Sequence, residues 1–290
     1  MPEGDTALQT ARCLHAALAD RVLTRSDLRV PRFATADLTG RTVLDVISRG
    51  KHLLTRIEGG LTLHSHLRMD GSWQVYAPGE RWRGGPAHQI RVVLANADHT
   101  AVGYRLPVLE LLRTREEERA VGHLGPDLLG PDWDPDTALR NLLADSSRPL
   151  GEALLDQRNL AGIGNVYKAE LCFLARATPW LPIGELPTAT ASRLVTTAKQ
   201  LLEANRDRPV RTTTTTTMPT TSTAANKRSG FVARTHGPKV VARPYGSKER
   251  LWVYGRTNRP CLRCGTPIRM AEQDARPTYW CPLCQAGPTA

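Results

Sequence analysis

The tightest constraint on this 290-residue chain lies near its C-terminal end: Cys261-x2-Cys264, sixteen residues, then Cys281-x2-Cys284. Two knuckles of this spacing read as four thiolates arranged tetrahedrally around one metal ion. Zn2+ is the expected ion, and iron of the rubredoxin type is its rival. Every ligand comes from protein, so the site is closed and structural. A segment of roughly forty residues cannot build much core unaided, so the metal supplies folding energy. Residues 251–290 are therefore expected to form a small zinc finger with a β-hairpin carrying Arg276 between the knuckles. The other two cysteines, Cys13 and Cys172, are expected as buried thiols rather than as a disulfide framework.

The opposite end reads Met1-Pro2-Glu3-Gly4. Proline is small enough for methionine aminopeptidase to act, and loss of Met1 would leave Pro2 with a free secondary amine. An α-amine titrates at roughly 7.7–8.0, against about 10.4 for lysine, so part of it is a neutral nucleophile near pH 7. Attack on a sugar aldehyde carbon would give an iminium, an electron sink, and the Glu3 carboxylate could move protons beside it. The same residues also read as an ordinary helix start. Ala7, Leu8, Ala11, Leu14, Ala17 and Leu18 recur at helical spacing and predict a helix from Gly4 to Asp20. Its N-terminal end would favour the Glu3 carboxylate or an approaching phosphate.

From Arg21 to Leu106 short β-rich runs alternate with Gly, Pro, Asn and Asp. Strands are expected at Leu23 to Val30, Thr42 to Ile47, His52 to Ile57, Leu61 to Leu67, Ser72 to Tyr76, Gln89 to Leu94 and Thr100 to Tyr104. Such spacing suggests an antiparallel sandwich or barrel. Lys51 falls at a turn in Arg49-Gly50-Lys51-His52. Arg68-Met69-Asp70-Gly71 reads as a hairpin tip, which argues against full burial of Met69.

After Tyr104 the pattern turns helical. Helices are expected at Asp134 to Ala144, Pro149 to Arg158, Val166 to Ala175 and Ala189 to Asn205. Before the third comes Asn159-Leu160-Ala161-Gly162-Ile163-Gly164-Asn165. Two glycines in four residues forbid continuous helix, and a glycine turn at a helix start offers backbone N–H groups to an anion. Asn165 at the cap could add its side chain. Simple packing of helix, turn and helix explains the stretch equally well.

Charge is distributed unevenly. Lys and Arg outnumber Asp and Glu 13 to 2 between Arg206 and Arg263, while the net charge of the whole chain is +11. The remainder is thus neutral, and one segment carries a polyanion-binding excess, most simply for nucleic acid. Part of that segment, Pro209 to Tyr245, is rich in Thr, Ser, Ala and Pro, with six threonines from Thr212 to Thr217. It lacks apolar periodicity and is read largely as disordered. The expected division is 1–125, 126–208, a basic insertion at 209–250, and 251–290. No apolar run approaches a membrane span, and the opening has no signal core, so a cytoplasmic protein is expected.

Several stretches now add up. MPEG at the start, SRGKHLL at 48–54, SHLRMDGSW at 65–73, LLDQRNLAGIGNVYKAEL at 154–171, VYGR at 253–256 and ARPTYWCPLCQ at 275–285 occur in one order. Together they resemble the formamidopyrimidine-DNA glycosylase and endonuclease VIII family of base-excision repair, over nearly the whole chain apart from 209–245. MPEG, rather than MPEL, favours the endonuclease VIII branch. The resemblance implies an α+β multidomain fold: an N-terminal helix with an antiparallel β-sandwich, a helix-two-turn-helix domain, and a C-terminal zinc-finger β-hairpin.

It also implies a bifunctional glycosylase and lyase that removes oxidised bases, pyrimidines favoured, and nicks DNA by β,δ-elimination. Pro2 would be the Schiff-base nucleophile and Glu3 the proton donor and acceptor. Lys51 would contact phosphate and assist β-elimination. Asn165 would bind phosphate, and Arg276 would grip the phosphates flanking the lesion and assist δ-elimination. His123, in GHLGPD, falls where some relatives place a DNA-contacting arginine. Arg68-Met69-Asp70 departs from the Gln-Leu-Tyr wedge of endonuclease VIII relatives, and a lone methionine looks more like the formamidopyrimidine branch. The implied partner is damaged double-stranded DNA, bound by a monomer that joins the nucleoid when on DNA. One structural Zn2+ is the implied cofactor. Two alternatives remain besides a rubredoxin-like redox protein: the same chemistry on oxidised purines, and a non-enzymatic zinc-ribbon DNA-binding protein. The last explains charge and cysteines but not Met-Pro-Glu, Lys51 and Arg276 together.

Overall fold

The structure, a computed structural model, describes residues 2–214 and 250–289. Its first helix, α1 (Gly4–Leu18), turns Ala7, Ala11, Leu14, Ala17 and Leu18 inward, as the spacing requires. Nine strands follow: β1 (Arg21–Val22), β2 (Arg25–Leu28), β3 (Thr42–Arg49), β4 (His52–Ile57), β5 (Leu61–His66), β6 (Ser72–Tyr76), β7 (Ile90–Ala95), β8 (Thr100–Tyr104) and β9 (Val108–Arg113). They form two antiparallel sheets, ordered β1-β3-β4-β5-β9 and β2-β7-β8-β6. Leu53 and Leu63 of the first sheet, Val92, Leu94 and Ala101 of the second, and Leu14 of α1 share one core. The sandwich expectation is met.

The expectation that the chain becomes helical straight after Tyr104 is corrected by β9. Val108 to Arg113 pairs residue for residue with β5, from His66↔Val108 to Leu61↔Arg113. The run Val-Leu-Glu-Leu-Leu-Arg suits a helix or a strand locally. The unpaired backbone edge of β5 decides, because those groups must find partners.

Helix α2 (Glu118–Val121) leads into the second unit, α3 (Pro135–Leu143), α4 (Leu150–Leu155), α5 (Asn165–Leu174) and α6 (Thr188–Asn205). Asp134 caps α3 by accepting from the backbone N–H of Asp136 and Thr137, the Asp-Pro start expected from sequence. Leu142, Leu154, Tyr167, Leu171, Leu194 and Leu201 share the core of this unit. The third unit holds β10 (Arg269–Gln273) and β11 (Arg276–Trp280), paired antiparallel from Arg269↔Trp280 to Gln273↔Arg276. It is not independent: Ala169 and Phe173 of α5 pack with Val253, Ile268 and Cys281. Cys172 is buried and Cys13 half-buried.

One further tie links α5 to the finger. The Glu170 carboxylate, fully buried, accepts from the backbone N–H of Trp252, Val253 and Tyr254 at 2.8–3.0 Å and from the Thr213 hydroxyl. Thr213 belongs to the stretch read from sequence as the start of the insertion. Thr212 and Thr213 are in fact buried, and the Thr212 N–H donates to Asn205 Oδ1 at 2.8 Å. The rest of the expected insertion, residues 215–249, lies outside the described residues. No helix among the described residues is long and apolar enough to cross a membrane.

Candidate active site

An α-helix leaves its first N–H groups without intrahelical partners, and its N-terminus attracts anions. The start of α5 has this need, and its N-cap, Gly164, has no side chain to meet it. Glu3 does so from 161 residues away. Its Oε2 accepts from Gly164 N at 2.8 Å and Tyr167 N at 3.3 Å, and its Oε1 accepts from Val166 N at 2.8 Å. Glu3 has no exposed surface, and Pro2 beside it is also buried. The anion expected on the glycine turn is therefore the protein's own carboxylate. Glu3 sits at the N-cap of α1 but makes no side-chain bond there.

The glycines make this approach possible. A Cβ on Gly164 would lie 2.5 Å from Glu3 Cδ, and one on Gly4 would lie 2.9 Å from Gly162 Cα. Gly4 N donates to Gly162 O at 2.9 Å, fixing the opening of the chain against the turn. Gly162 has φ +114°, a conformation that favours glycine.

Three further groups surround Glu3. Arg211 lies with one guanidinium nitrogen 3.7 Å from Glu3 Oε1. It grips Asp5 with two nitrogens, Nε to Oδ2 at 2.7 Å and a second to Oδ1. Tyr167 donates its hydroxyl to Asp5 at 2.9 Å, and the guanidinium lies 4.7 Å from the Tyr167 ring centre. Burial pushes the Asp5 carboxyl upward, but the charge and hydrogen bonds of Arg211 and the Tyr167 hydroxyl hold it below the usual range.

Lys51 reaches the same turn. Gly50, at φ +57°, sets the tight turn between β3 and β4, and its N–H donates to Asp127 Oδ2 at 2.7 Å. The Lys51 ammonium then donates to Ile163 O. Burial lowers the Lys51 pKa to about 8, Glu3 opposes that shift, and the charges of Arg276 and Arg211 add to it. The sequence-predicted Glu3 and Lys51 are thus brought together at one turn, 162–167, with Pro2 buried next to Glu3 in the chain.

Arg276 stands exposed at the start of β11, just past a tip in which Asp274 and Ala275 have φ of 50° and 54°. Asn165, expected to cap and bind phosphate, is fully buried, and its amide donates to Pro277 O at 2.7 Å. It ties α5 to the finger hairpin, as does the buried Lys168, whose ammonium donates to Thr278.

Arg68, Met69 and His123 gather elsewhere. Met69 is 59% exposed at the β5–β6 tip, as a turn position implies. The Arg68 N–H donates to His66 Nδ1 at 2.9 Å, and the His123 ring stands edge-on to His52 at 6.1 Å. His52 in turn meets His64 through a 2.8 Å nitrogen contact and His66 edge-on at 4.8 Å. Sequence reasoning missed this patch, although the pairing of β4 with β5 sets His52 opposite His66. It also missed Asp5 and Tyr167, and Arg211 lay concealed in a threonine-rich stretch.

The Sγ atoms of Cys261, Cys264, Cys281 and Cys284 all lie within 4.8 Å of one another. Zn–S bonds of about 2.3 Å place tetrahedral sulfurs roughly 3.8 Å apart, so the set fits one Zn2+. Bound there, the ion would join the two knuckles on either side of β10–β11 and be held by protein thiolates alone.

Three family descriptions match in the order of the three units. They are the formamidopyrimidine-DNA glycosylase N-terminal domain over 1–105, its H2TH domain over 124–217, and a zinc finger found in formamidopyrimidine-DNA glycosylase and isoleucyl-tRNA synthetase over 259–287. Fold, matches and gathered side chains define the class first, a three-part DNA glycosylase. The chain belongs to the formamidopyrimidine-DNA glycosylase and endonuclease 8 family. It is 68% identical to a probable endonuclease 8 of Streptomyces coelicolor, covering 99% of this chain and 95% of that one. Identity is 46% to a DNA-(apurinic or apyrimidinic site) lyase of Mycolicibacterium smegmatis, covering 98% and 99%. It is 31% to endonuclease 8 of Escherichia coli, covering 98% and 100%. The fold matches the Lactococcus lactis glycosylase solved with DNA containing an abasic site, at TM-score 0.77 and 22% identity, over 98% and 100% of the two chains.

Proposed function

We propose that this chain removes oxidised bases from double-stranded DNA, pyrimidines before purines, and cuts the strand through a Schiff base on Pro2. The observation that carries this reading is the seating of Glu3 on the first N–H groups of α5, beside Pro2 and the Lys51 ammonium. With Met1 removed, the Pro2 nitrogen lone pair attacks C1′, and the base leaves with the glycosidic electron pair. Glu3 moves the protons that let the sugar ring open, which leaves a cationic iminium. Loss of the C2′ proton then expels the 3′ phosphate, and a second elimination expels the 5′ phosphate. Lys51 and Arg276 hold those phosphates, and Asn165, closed off from solvent, steadies the hairpin that carries Arg276 through Pro277 O. Met69 fills the stack vacated by the flipped nucleotide, with Arg68 and His123 at its flank. Zinc, when bound, keeps the β10–β11 hairpin folded.

The relatives named as endonuclease 8 support the pyrimidine preference. The lone Met69 favours a second reading, in which oxidised purines are excised as well. Single-turnover excision separates them: faster removal of 8-oxoguanine opposite cytosine than of thymine glycol overturns the preference. The mechanism is tested by borohydride trapping on damaged duplex followed by peptide mapping. A covalent adduct at Pro2 is expected. Attachment at Lys51 or another lysine, with Pro2 unmodified, refutes it.

A further inference from the structure

Glu3 is held from one side by α5 and from the other by a side chain of the chain's opposite half. The α5 side consists of fixed backbone N–H groups. The other side is Arg211, 3.7 Å from Glu3 Oε1 and itself anchored by the two-point grip on Asp5. The side chains of both members of that grip are almost wholly buried, at 10% and 4% exposure. An Arg–carboxylate fork fixes direction as well as distance, which an ammonium on a flexible stem does not. Tyr167 closes the arrangement, giving its hydroxyl to Asp5 and its ring face to the guanidinium, while its own N–H caps Glu3. Asp5, Tyr167 and Arg211 therefore form one unit with the Glu3 carboxylate at its edge.

The unit also balances charge. Glu3 and Asp5 are two buried carboxylates two residues apart, and like charges this close cannot both be buried without compensation. Arg211 faces both. Lys51 and Arg276 add positive charge from the other two units.

We propose that Arg211, locked by Asp5 and Tyr167, is the positioning residue for Glu3: it fixes the carboxylate that handles protons during base removal. Arg211 touches neither sugar nor base in this role. The inference rests on the reading of Glu3 given under Proposed function. Because Arg211 acts through Glu3, its loss affects the step that needs Glu3 most, departure of the base. A preformed abasic site has no base to expel, so strand cutting there depends less on Arg211.

The test uses the full chain as Arg211→Lys and as the paired Asp5→Asn/Arg211→Gln variant, which removes both buried charges together if the single change folds poorly. Single-turnover and steady-state rates are measured on a duplex with one oxidised pyrimidine and on the same duplex with a preformed abasic site. Melting temperature reports folding. Both variants are expected to excise at least tenfold more slowly through kcat, with KM within about twofold. Cutting at the abasic site should fall less than threefold. Folded variants that excise at the wild-type rate, or that lose excision and abasic cutting equally, overturn the inference. A wild-type protein that neither excises nor traps would instead remove the reading of Glu3 on which it rests, and the inference with it.

Discussion

Around Glu3 the protein keeps charges from water, and in His52, His64 and His66 it holds rings whose charged form burial disfavours. Glu3 has three backbone N–H groups and Arg211. Asp5 has Arg211 and Tyr167, and Lys51 has Ile163 O with Glu3 nearby. The imidazoles of His52, His64 and His66 mostly have each other, with the exposed His123 ring edge-on to His52, and of these rings only His64 meets an acid, Glu110 at 3.3 Å. Burial takes His52 down to about 3, and the neighbouring histidines and Lys51 push the same way. Burial takes His66 down to about 4, reinforced by Lys51 and Arg68. Lys51 and His52 are consecutive in sequence, so the two regions meet at a single step of the chain. Burial disfavours charge in both; a fixed partner of opposite sign is what retains it.

The largest break in this comparison comes from the finger. Cys281→Ala removes a zinc ligand and should unfold β10–β11, taking away the Pro277 carbonyl that holds Asn165 and the Arg276 whose charge acts on Lys51. Loss of zinc from the protein and loss of duplex binding are expected together. Active protein carrying stoichiometric iron, or no metal, would contradict the zinc assignment.

Glu3→Gln breaks the charged side alone. It removes the titrating carboxylate, so base excision should fall by about 10²-fold or more, and cutting at a preformed abasic site by less. The structure adds a second cost. Glutamine brings one oxygen to a seat where both carboxylate oxygens accept N–H bonds, and its NH2 would face a donor. Losing such a bond costs about 1–3 kcal/mol, so denaturant unfolding should also show a less stable protein.

Acid sharpens the neutral side. The folded values of His52 and His66 lie below the ordinary 6.5, so between pH 6.5 and about 4 the unfolded chain binds more protons. Stability is therefore fully present above pH 6.5 and declines as pH falls through that window. Between pH 7 and 5 the loss should be about 2 kcal/mol for each ring, and His52→Gln should remove roughly half of the total. Equal slopes in urea unfolding of the two proteins would show that His52 has another partner.

The smallest effect on the fold belongs to Met69, exposed at the β5–β6 tip. Met69→Ala should leave stability within about 0.5 kcal/mol. If Met69 fills the vacated stack, excision from duplex should drop by roughly tenfold while excision from single strands is unchanged.

Much of this was legible without coordinates. Alternating apolar residues located seven strands of the sandwich, the stripe of α1 fell where its spacing required, and the cysteine spacing anticipated a four-sulfur cluster. Of the residues singled out, Glu3 and Lys51 both reach the 162–167 turn. The pairings were not legible. Local sequence could not distinguish helix from strand over Val108–Arg113, because the edge of β5 made that choice. Arg211 carried no signal among threonines, and its partner Asp5 is 206 residues away.

Periodicity and ligand spacing are local properties, so the sequence by itself determined most of the elements and the four-cysteine cluster. Which anion would occupy the start of α5 was open, since a helix N-terminus accepts any negative group that reaches it. Only the tertiary structure decided that Glu3 occupies it rather than capping its own helix. Gly4 packed on Gly162, and the bare backbone of Gly164, bring the two ends within hydrogen-bond reach. A contact between residues so far apart leaves no pattern along the chain, and its energy exists only once the core has closed.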